Sequence, residues 1–167
     1  MLSHVLGAPA SGKTTLVPLL RPLLPGRAVL DWDAFMEPSG KLAGRPVRRS
    51  PRTWPGYRDL VRTVVESMIE VPVPVVLLGV CTPGELADWP DGRWLLLDCG
   101  DAERRRRLSA QSAGRGEARE LDGEDAVRDA AHYRRLGLPA FDSTGLTPGQ
   151  AAAGLAAIIR AASNPTA

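Results

Sequence analysis

Residues 7–14, Gly7-Ala8-Pro9-Ala10-Ser11-Gly12-Lys13-Thr14, fit the pattern GxxxxGK[ST] at every position. This pattern constrains a chain more than any composition does, because it works only between a strand and a helix. Both neighbours are written in the flanks. Leu2–Leu6 is a short apolar run, and Thr14-Thr15-Leu16-Val17 opens a helical stretch. Glycines let such a loop curl so that successive N–H groups point at phosphate oxygens, and the helix N-terminus adds its positive end. The spacing predicts that Gly7, Ala8, Pro9, Ala10, Ser11, Gly12, Lys13, Thr14 and Thr15 cradle the phosphates of a nucleotide. Lys13 then supplies a point charge to the β- and γ-phosphates, and the Thr14 hydroxyl reaches Mg²⁺. A chance glycine-rich turn is the bland alternative, and the strand before and helix after it argue against it.

Composition adds weight to the lysine. The chain carries 19 Arg and only two Lys, Lys13 and Lys41, a bias that with its many Ala, Gly and Pro points to a GC-rich bacterial genome. A lysine inside the motif is therefore a selective choice. At 167 residues the chain suits one domain, 1–167, and 44% hydrophobic with 24% charged residues reads as globular rather than disordered. A net charge of +2 excludes a wholesale polyanion binder. The two cysteines, Cys81 and Cys99, end separate apolar runs and read as small buried hydrophobes. No apolar run approaches the ~18 residues of a membrane span. With no basic leader or cleavage signature in view, the expected location is the cytoplasm, as a monomer or homodimer.

Five apolar runs alternate with helical or looped stretches: 2–6, 28–30, 73–80, 94–97 and a weak fifth at 139–141. Short Val- and Leu-rich runs without strict alternation suit parallel strands buried on both faces. Helices are expected at 13–24, 57–70 and 147–162, with an Arg-rich stretch over 103–135. Pro22 and Pro25-Gly26 are expected to close the first helix. Thr147-Pro148-Gly149-Gln150 reads as a capping box that starts the last one, with Ala151, Leu155, Ile158 and Ile159 on its inner face. Polar segments at 37–53 and 110–123 read as loops that cover a site. Strand–helix alternation of this kind argues for α/β with right-handed crossovers.

A phosphate loop does not by itself separate GTPases, ATP motors and kinases. The guanine-reading NKxD motif is absent, since the sole asparagine is Asn164. Neither 94–99 nor 77–81 ends in the acidic pair that motors use, and the chain is short for a motor. Small-molecule kinase remains, with ATP and Mg²⁺ as the expected cofactors. The second run supports it. Asp31-Trp32-Asp33 places two carboxylates where a strand meets the ligand-binding edge of the sheet. One can hold a water of the Mg²⁺ shell, and the other can accept a proton from an acceptor hydroxyl. The bland reading makes Asp33 the cap of a helix that begins at Ala34.

With these residues in place, the chain resembles the small P-loop kinases of the nucleoside-monophosphate and shikimate kinase group, especially the bacterial AAA-type, nucleotide-kinase-like ATP-binding proteins. The resemblance spans nearly the whole chain and rests on GAPASGKTT, LDWD, WLLLDCGDAERRRRL and AFDSTGLTPGQAAAGLAAII in that order. It implies a three-layer α/β/α sandwich with a five-stranded parallel sheet of order 2-3-1-4-5. It also implies a substrate-binding segment at about 35–70 and a mobile lid at about 104–135. Catalytic roles are expected for Lys13, Asp33 and Arg107, and metal binding for Thr14 and Asp31. Arg107 and Thr144 join the loop in holding ATP, and Gly79 is the glycine against which a substrate lies. The family often continues as RLxxR, and here the second arginine position is Gln111, which leaves Arg115 or Arg119 for that role.

Weaker signals leave alternatives open. Residues 41–62 hold seven basic residues and one acid, Asp59, which suits either an anionic acceptor or a solvated surface. Trp54, Pro55 and Tyr57 either stack on a flat acceptor or staple a helix start. Of the four arginines at 104–107, helical spacing lets only one or two face a site. His4 and His132 read as structural. The main expectation is transfer of the γ-phosphate of ATP to a hydroxyl or phosphate of a small-molecule acceptor (a nucleoside, nucleotide or other metabolite), anionic or not, with nucleic acid not favoured and no membrane. A nucleotide-binding switch with low ATPase activity and a polynucleotide-end kinase are the alternatives.

Overall fold

The computed structural model describes residues 1–48, 50–113 and 123–161, and of residues 111–113 only the backbone. Five parallel strands form one sheet: β1 (Leu2–Leu6), β2 (Ala28–Asp31), β3 (Val75–Gly79), β4 (Gly92–Asp98) and β5 (Ala140–Asp142). Their order is β2-β3-β1-β4-β5, as the resemblance implied. Helices α1 (Lys13–Leu23) and α6 (Pro148–Ala161) cover one face. The opposite face carries α3 (Trp54–Glu70) and α5 (Gly123–Arg134). The short α2 (Met36–Leu42) and α4 (Asp101–Ala113) complete the described helices.

The pleat of the central strands divides the core. Val5, Val76 and Leu78 pack beneath α1 and α6, while Leu2, Val75 and Leu77 turn to the other side. Strands buried on both faces have no polar side to display, which is why their sequence reads as unbroken apolar runs. In register, Leu6 lies level with Gly79 and Leu96, so the chain leaves β1 at the carboxyl edge of the sheet.

Several expected boundaries moved. Pro18 and Pro22 both lie inside α1, which runs on to Leu23. Proline's fixed φ is already helical, and what it removes is a donor. Thr14, Pro18 and Pro22 share an exposed face, so the carbonyls left without that donor meet water. The end of the helix is tied down by Arg160, whose Nη1 donates to the Leu23 carbonyl at 2.8 Å. Segment 37–53 is not all loop, because α2 occupies its first part and Val47 is buried in the second core. The capping box formed as read: the Gln150 side chain accepts from Thr147 N–H at 2.9 Å and Thr147 Oγ1 from Gln150 N–H at 3.3 Å. Ile158 is exposed, and Ala152 and Ala156 take the inner face instead.

Trp54 and Tyr57 belong to the core rather than to a stacking platform. Both rings lie about 6 Å from Trp32, and Tyr57 donates its hydroxyl to the Trp32 carbonyl. Burial raises the Tyr57 pKa well above its ordinary value. His4 stacks on Trp94 at 4.1 Å, and burial pushes its pKa down to about 4. Cys81 and Cys99 are both free and buried, and burial pushes Cys81 up to about 12.

Candidate active site

The phosphate loop leaves β1 through Gly7, whose N–H donates to the Gly79 carbonyl at 3.1 Å. A Cβ at Gly7 would stand 2.4 Å from Ser11 Oγ and 3.1 Å from the Leu97 carbonyl, so only glycine lets the loop fold back on itself here. Gly12 caps α1 at φ +103°, a conformation that L side chains rarely adopt. Lys13, 8% exposed, bends back over the loop and donates Nζ to the Gly7 carbonyl and, at 3.3 Å, to that of Ala8. Burial lowers its pKa to about 8. Asp33 and Asp31 pull it back up, while Arg104 and Arg48 press it further down. Lys13 is thus a cation short of solvent and held by carbonyls of its own loop. The Thr14 hydroxyl, next along, is exposed.

Residues 104–107 split as helical geometry requires. Arg105 and Arg106 turn outward to Glu124 and Glu103, and Arg104 and Arg107 turn inward. Arg104 is fully buried; it donates to the Pro9 carbonyl at 2.6 Å and pairs with Asp98 at the end of β4. Asp98 also holds Arg134 of α5 at 2.6 Å, so one carboxylate ties the phosphate loop to two helices. Arg104→Ala is expected to cost roughly 3–5 kcal/mol, the range for breaking a buried ion pair. Exposed Arg106→Ala should stay within about 0.5 kcal/mol of the parent. Urea unfolding of both variants checks this, and equal midpoints would rule out the tether.

Arg107 lies over the loop. Its guanidinium donates to the carbonyls of Ser11 (3.2 Å) and Ser143 (3.1 Å), and its Nε pairs with Glu103 at 2.7 Å. Arg106 and Arg107 together hold the Glu103 carboxyl down to about 2. Arg107 walls a cavity of about 290 Å³ with Gly12, Thr15, Ser143, Leu146 and Pro148, directly beside the phosphate loop. Thr144 instead braces the neighbouring turn: its hydroxyl donates to Asp142 at 2.6 Å and accepts from Gly100 N–H at 2.7 Å. Ser143, Leu146 and Pro148 of this wall are not among the site residues expected from the sequence, although Ser143 adjoins the expected Thr144. Arg115 and Arg119, like the side chain of Gln111, lie outside the described residues.

On the other side of Lys13 stand the two carboxylates. β2 ends at Asp31, and residues Trp32–Phe35 form one 3₁₀ turn. The helix cap is Asp31, not Asp33: its Oδ1 accepts from the Asp33 N–H at 2.9 Å. The tight turn, rather than strand alternation, brings both carboxylates to the lysine. Asp33 borders an open cleft of about 590 Å³, whose lining also includes Lys41, Arg45 and Arg48. Gly79 does not face this space as expected. Trp32 covers it, with its Cβ 3.4 Å from where a Cβ of residue 79 would stand.

Among the described residues there is no cluster of three or more His, Cys, Asp or Glu that could cage a metal. The oxygen donors Thr14 and Asp31 beside a phosphate cradle do fit Mg²⁺, which keeps waters and shares substrate phosphates rather than filling a protein cage.

This sheet order, with helices on both faces, is a fold shared with several solved kinases. No protein-family model matches the chain, and no curated protein matches it in sequence. Solved structures do match in fold. The tunicamycin resistance protein of Deinococcus radiodurans superposes with a TM-score of 0.68 at 18% identity, covering 95% of this chain and 94% of that one. Shikimate kinase from Aquifex aeolicus gives 0.60 at 16% identity over 99% and 100% of the two chains. A gluconokinase from Sinorhizobium meliloti gives 0.56 at 16% over 97% of each. No helix among the described residues is long and apolar enough to cross a membrane.

Proposed function

We propose that this chain is an ATP-dependent phosphotransferase that moves the γ-phosphate of ATP to a hydroxyl or phosphate of a small, anionic acceptor. One observation carries the reading: buried Lys13, on a loop that borders one cavity, feels the charges of Asp33 and Asp31, the first of which edges a separate cleft. A cavity beside the loop and a separate carboxylate-edged cleft suit a donor and an acceptor better than a hydrolase or a switch. That gluconokinase and shikimate kinases share the fold supports it further.

Lys13 would neutralise charge on the transferring phosphoryl group, and the loop N–H groups would orient the phosphates. Mg²⁺, held by Thr14 and the Asp31 side, would supply further neutralisation. Asp33 would orient and deprotonate the acceptor hydroxyl. Arg107, against the cavity, would hold the nucleotide and reach toward its phosphates. Arg45 has no carboxylate partner among the described residues, which favours an anion in the cleft. The polynucleotide reading has less support, because Lys41, Arg58 and Arg62 are already paired with Glu37 and Asp88.

The test is ADP release, with mass detection of product, across hydroxylated acids, nucleosides, nucleotides and oligonucleotides. An acceptor-dependent rate with a phosphorylated small product is expected; product on an oligonucleotide alone would reverse the choice. Arg107→Ala divides its two roles. A higher KM for ATP at unchanged kcat marks the cavity wall, whereas a kcat loss on the order of 10³ marks a group at the transferring phosphoryl.

A further inference from the structure

We propose that Arg48 masks Asp33 until an anionic group draws it away, so that transfer is confined to acceptors carrying an anion a few bonds from the receiving hydroxyl. This rests on Asp33 being the carboxylate that meets the acceptor. Both of its oxygens are constrained as the protein stands, although the side chain keeps 27% of its surface exposed. Oδ2 is 3.0 Å from Arg48 Nη2, and Oδ1 is closed to water and has no hydrogen-bond partner. The backbone offers no way out, since the Asp33 N–H is fixed to Asp31 at 2.9 Å. To present Oδ1 to a hydroxyl the carboxylate must turn, and to turn it must leave Arg48.

The surroundings determine what can take Arg48 away. Its side chain is 47% exposed and swings into the cleft without disturbing the core, while the adjoining Val47 anchors the backbone. Of the other cations lining the cleft, Lys41 is occupied by Glu37 at 2.8 Å, and Arg45 has no carboxylate partner among the described residues. The cleft therefore holds three cations against two carboxylates, Asp33 and Glu37, a surplus of one. An arriving anion is attracted by that surplus and offers Arg48 a charge-assisted bond equal to the one it gives up. A neutral polyol, or water, offers no such exchange and meets a carboxylate that Arg48 still holds.

The same contact guards against waste. In transfer, the acceptor oxygen bonds to the γ-phosphorus, the bond from that phosphorus to the ADP oxygen breaks with its electron pair on ADP, and the acceptor's proton passes to Asp33. Water can enter the same step and yield ADP and phosphate. With Arg48 on Asp33, water meets a carboxylate oxygen already engaged by a cation.

The experiment measures Lys13-dependent ATP hydrolysis with no acceptor added, in the parent, Arg48→Met and Arg48→Lys. Acetate serves as the anionic probe and acetamide as its neutral twin, at constant ionic strength. Arg48→Met is expected to hydrolyse on the order of tenfold faster than the parent, a fraction of what an available general base contributes. Arg48→Lys, which keeps a cation, should stay near the parent rate. Acetate should accelerate the parent severalfold while acetamide does not, and Arg48→Met should respond to neither. Equal rates in the parent and Arg48→Met, or equal effects of acetate and acetamide, overturn the mask and leave the phosphotransferase reading intact. Absence of ATP turnover in every variant, with or without any acceptor, overturns that reading as well.

Discussion

Lys13→Ala is expected to lower ATP turnover by on the order of 10³ while the fold survives. The lysine contributes little to packing. Its ammonium is held by two carbonyls of its own loop, and its burial is costly enough to lower its pKa to about 8. Removing it frees those carbonyls and discards a poorly solvated charge, so the melting temperature should not fall. The lowered pKa has a further consequence whose sign is fixed. Above pH 8 the free protein loses the Lys13 proton, while the unfolded chain keeps it up to about 10.5. The unfolded state then binds more protons, so this group makes stability rise with pH across that window. A bound polyphosphate restores the proton. Nucleotide binding near pH 9 should therefore take up a proton, visible in calorimetry as a binding heat that changes with the buffer's ionisation heat. Wild-type turnover in Lys13→Ala would remove the phosphate-site assignment.

Asp33→Asn should retain nucleotide and Mg²⁺ binding and lose transfer to the acceptor by ~10²–10⁴, the range for general-base catalysis. The amide keeps the shape and gives up the charge and the basicity. Fold stability should hardly change, because the cap of the 3₁₀ turn is Asp31 and the partner lost, Arg48, is half-exposed. Asp31→Asn behaves differently on two counts. It weakens the dependence on Mg²⁺, and it tampers with the one side chain that accepts from the Asp33 N–H. Mg²⁺ titrations of both variants at saturating ATP separate the roles. Normal transfer by Asp33→Asn would reduce Asp33 to a wall of the cleft.

What was legible in the sequence follows from what is local. The loop from Gly7 to Thr14 encodes its own curl, and Thr147 with Gln150 encodes its own cap, so both appear in the structure as read. The strands were found because burial on both faces demands continuous apolar runs. Errors arose where a distant residue decides the outcome. Pro22 fails to end α1 because its face meets solvent and Arg160, 138 positions later, secures the final turn. Asp98 looked like an acidic pair with a member missing, and only the arrival of Arg104 and Arg134 turns it into an anchor. Arg45 and Arg48 were two of seven similar charges until folding separated those facing the cleft from those paired to Asp88. Trp54 and Tyr57 carried no mark to distinguish a ring that stacks on a ligand from one that fills the space beside Trp32.

The chain's four tryptophans, Trp32, Trp54, Trp89 and Trp94, all pack within the same core, on the face of the sheet away from α1 and α6. The cavity beside the phosphate loop lies toward those two helices and has no indole in its wall. Ultraviolet emission is thus a one-sided optical reporter built into the molecule. Trp32 begins the 3₁₀ turn that carries Asp33, and its ring is 5.5 Å from Trp89 and 6.1 Å from Trp54. A shift of that turn changes the spacing of three coupled chromophores at once. The half of the protein that carries Asp33 and its cleft can be watched without a label, against a half beside the loop cavity that stays dark.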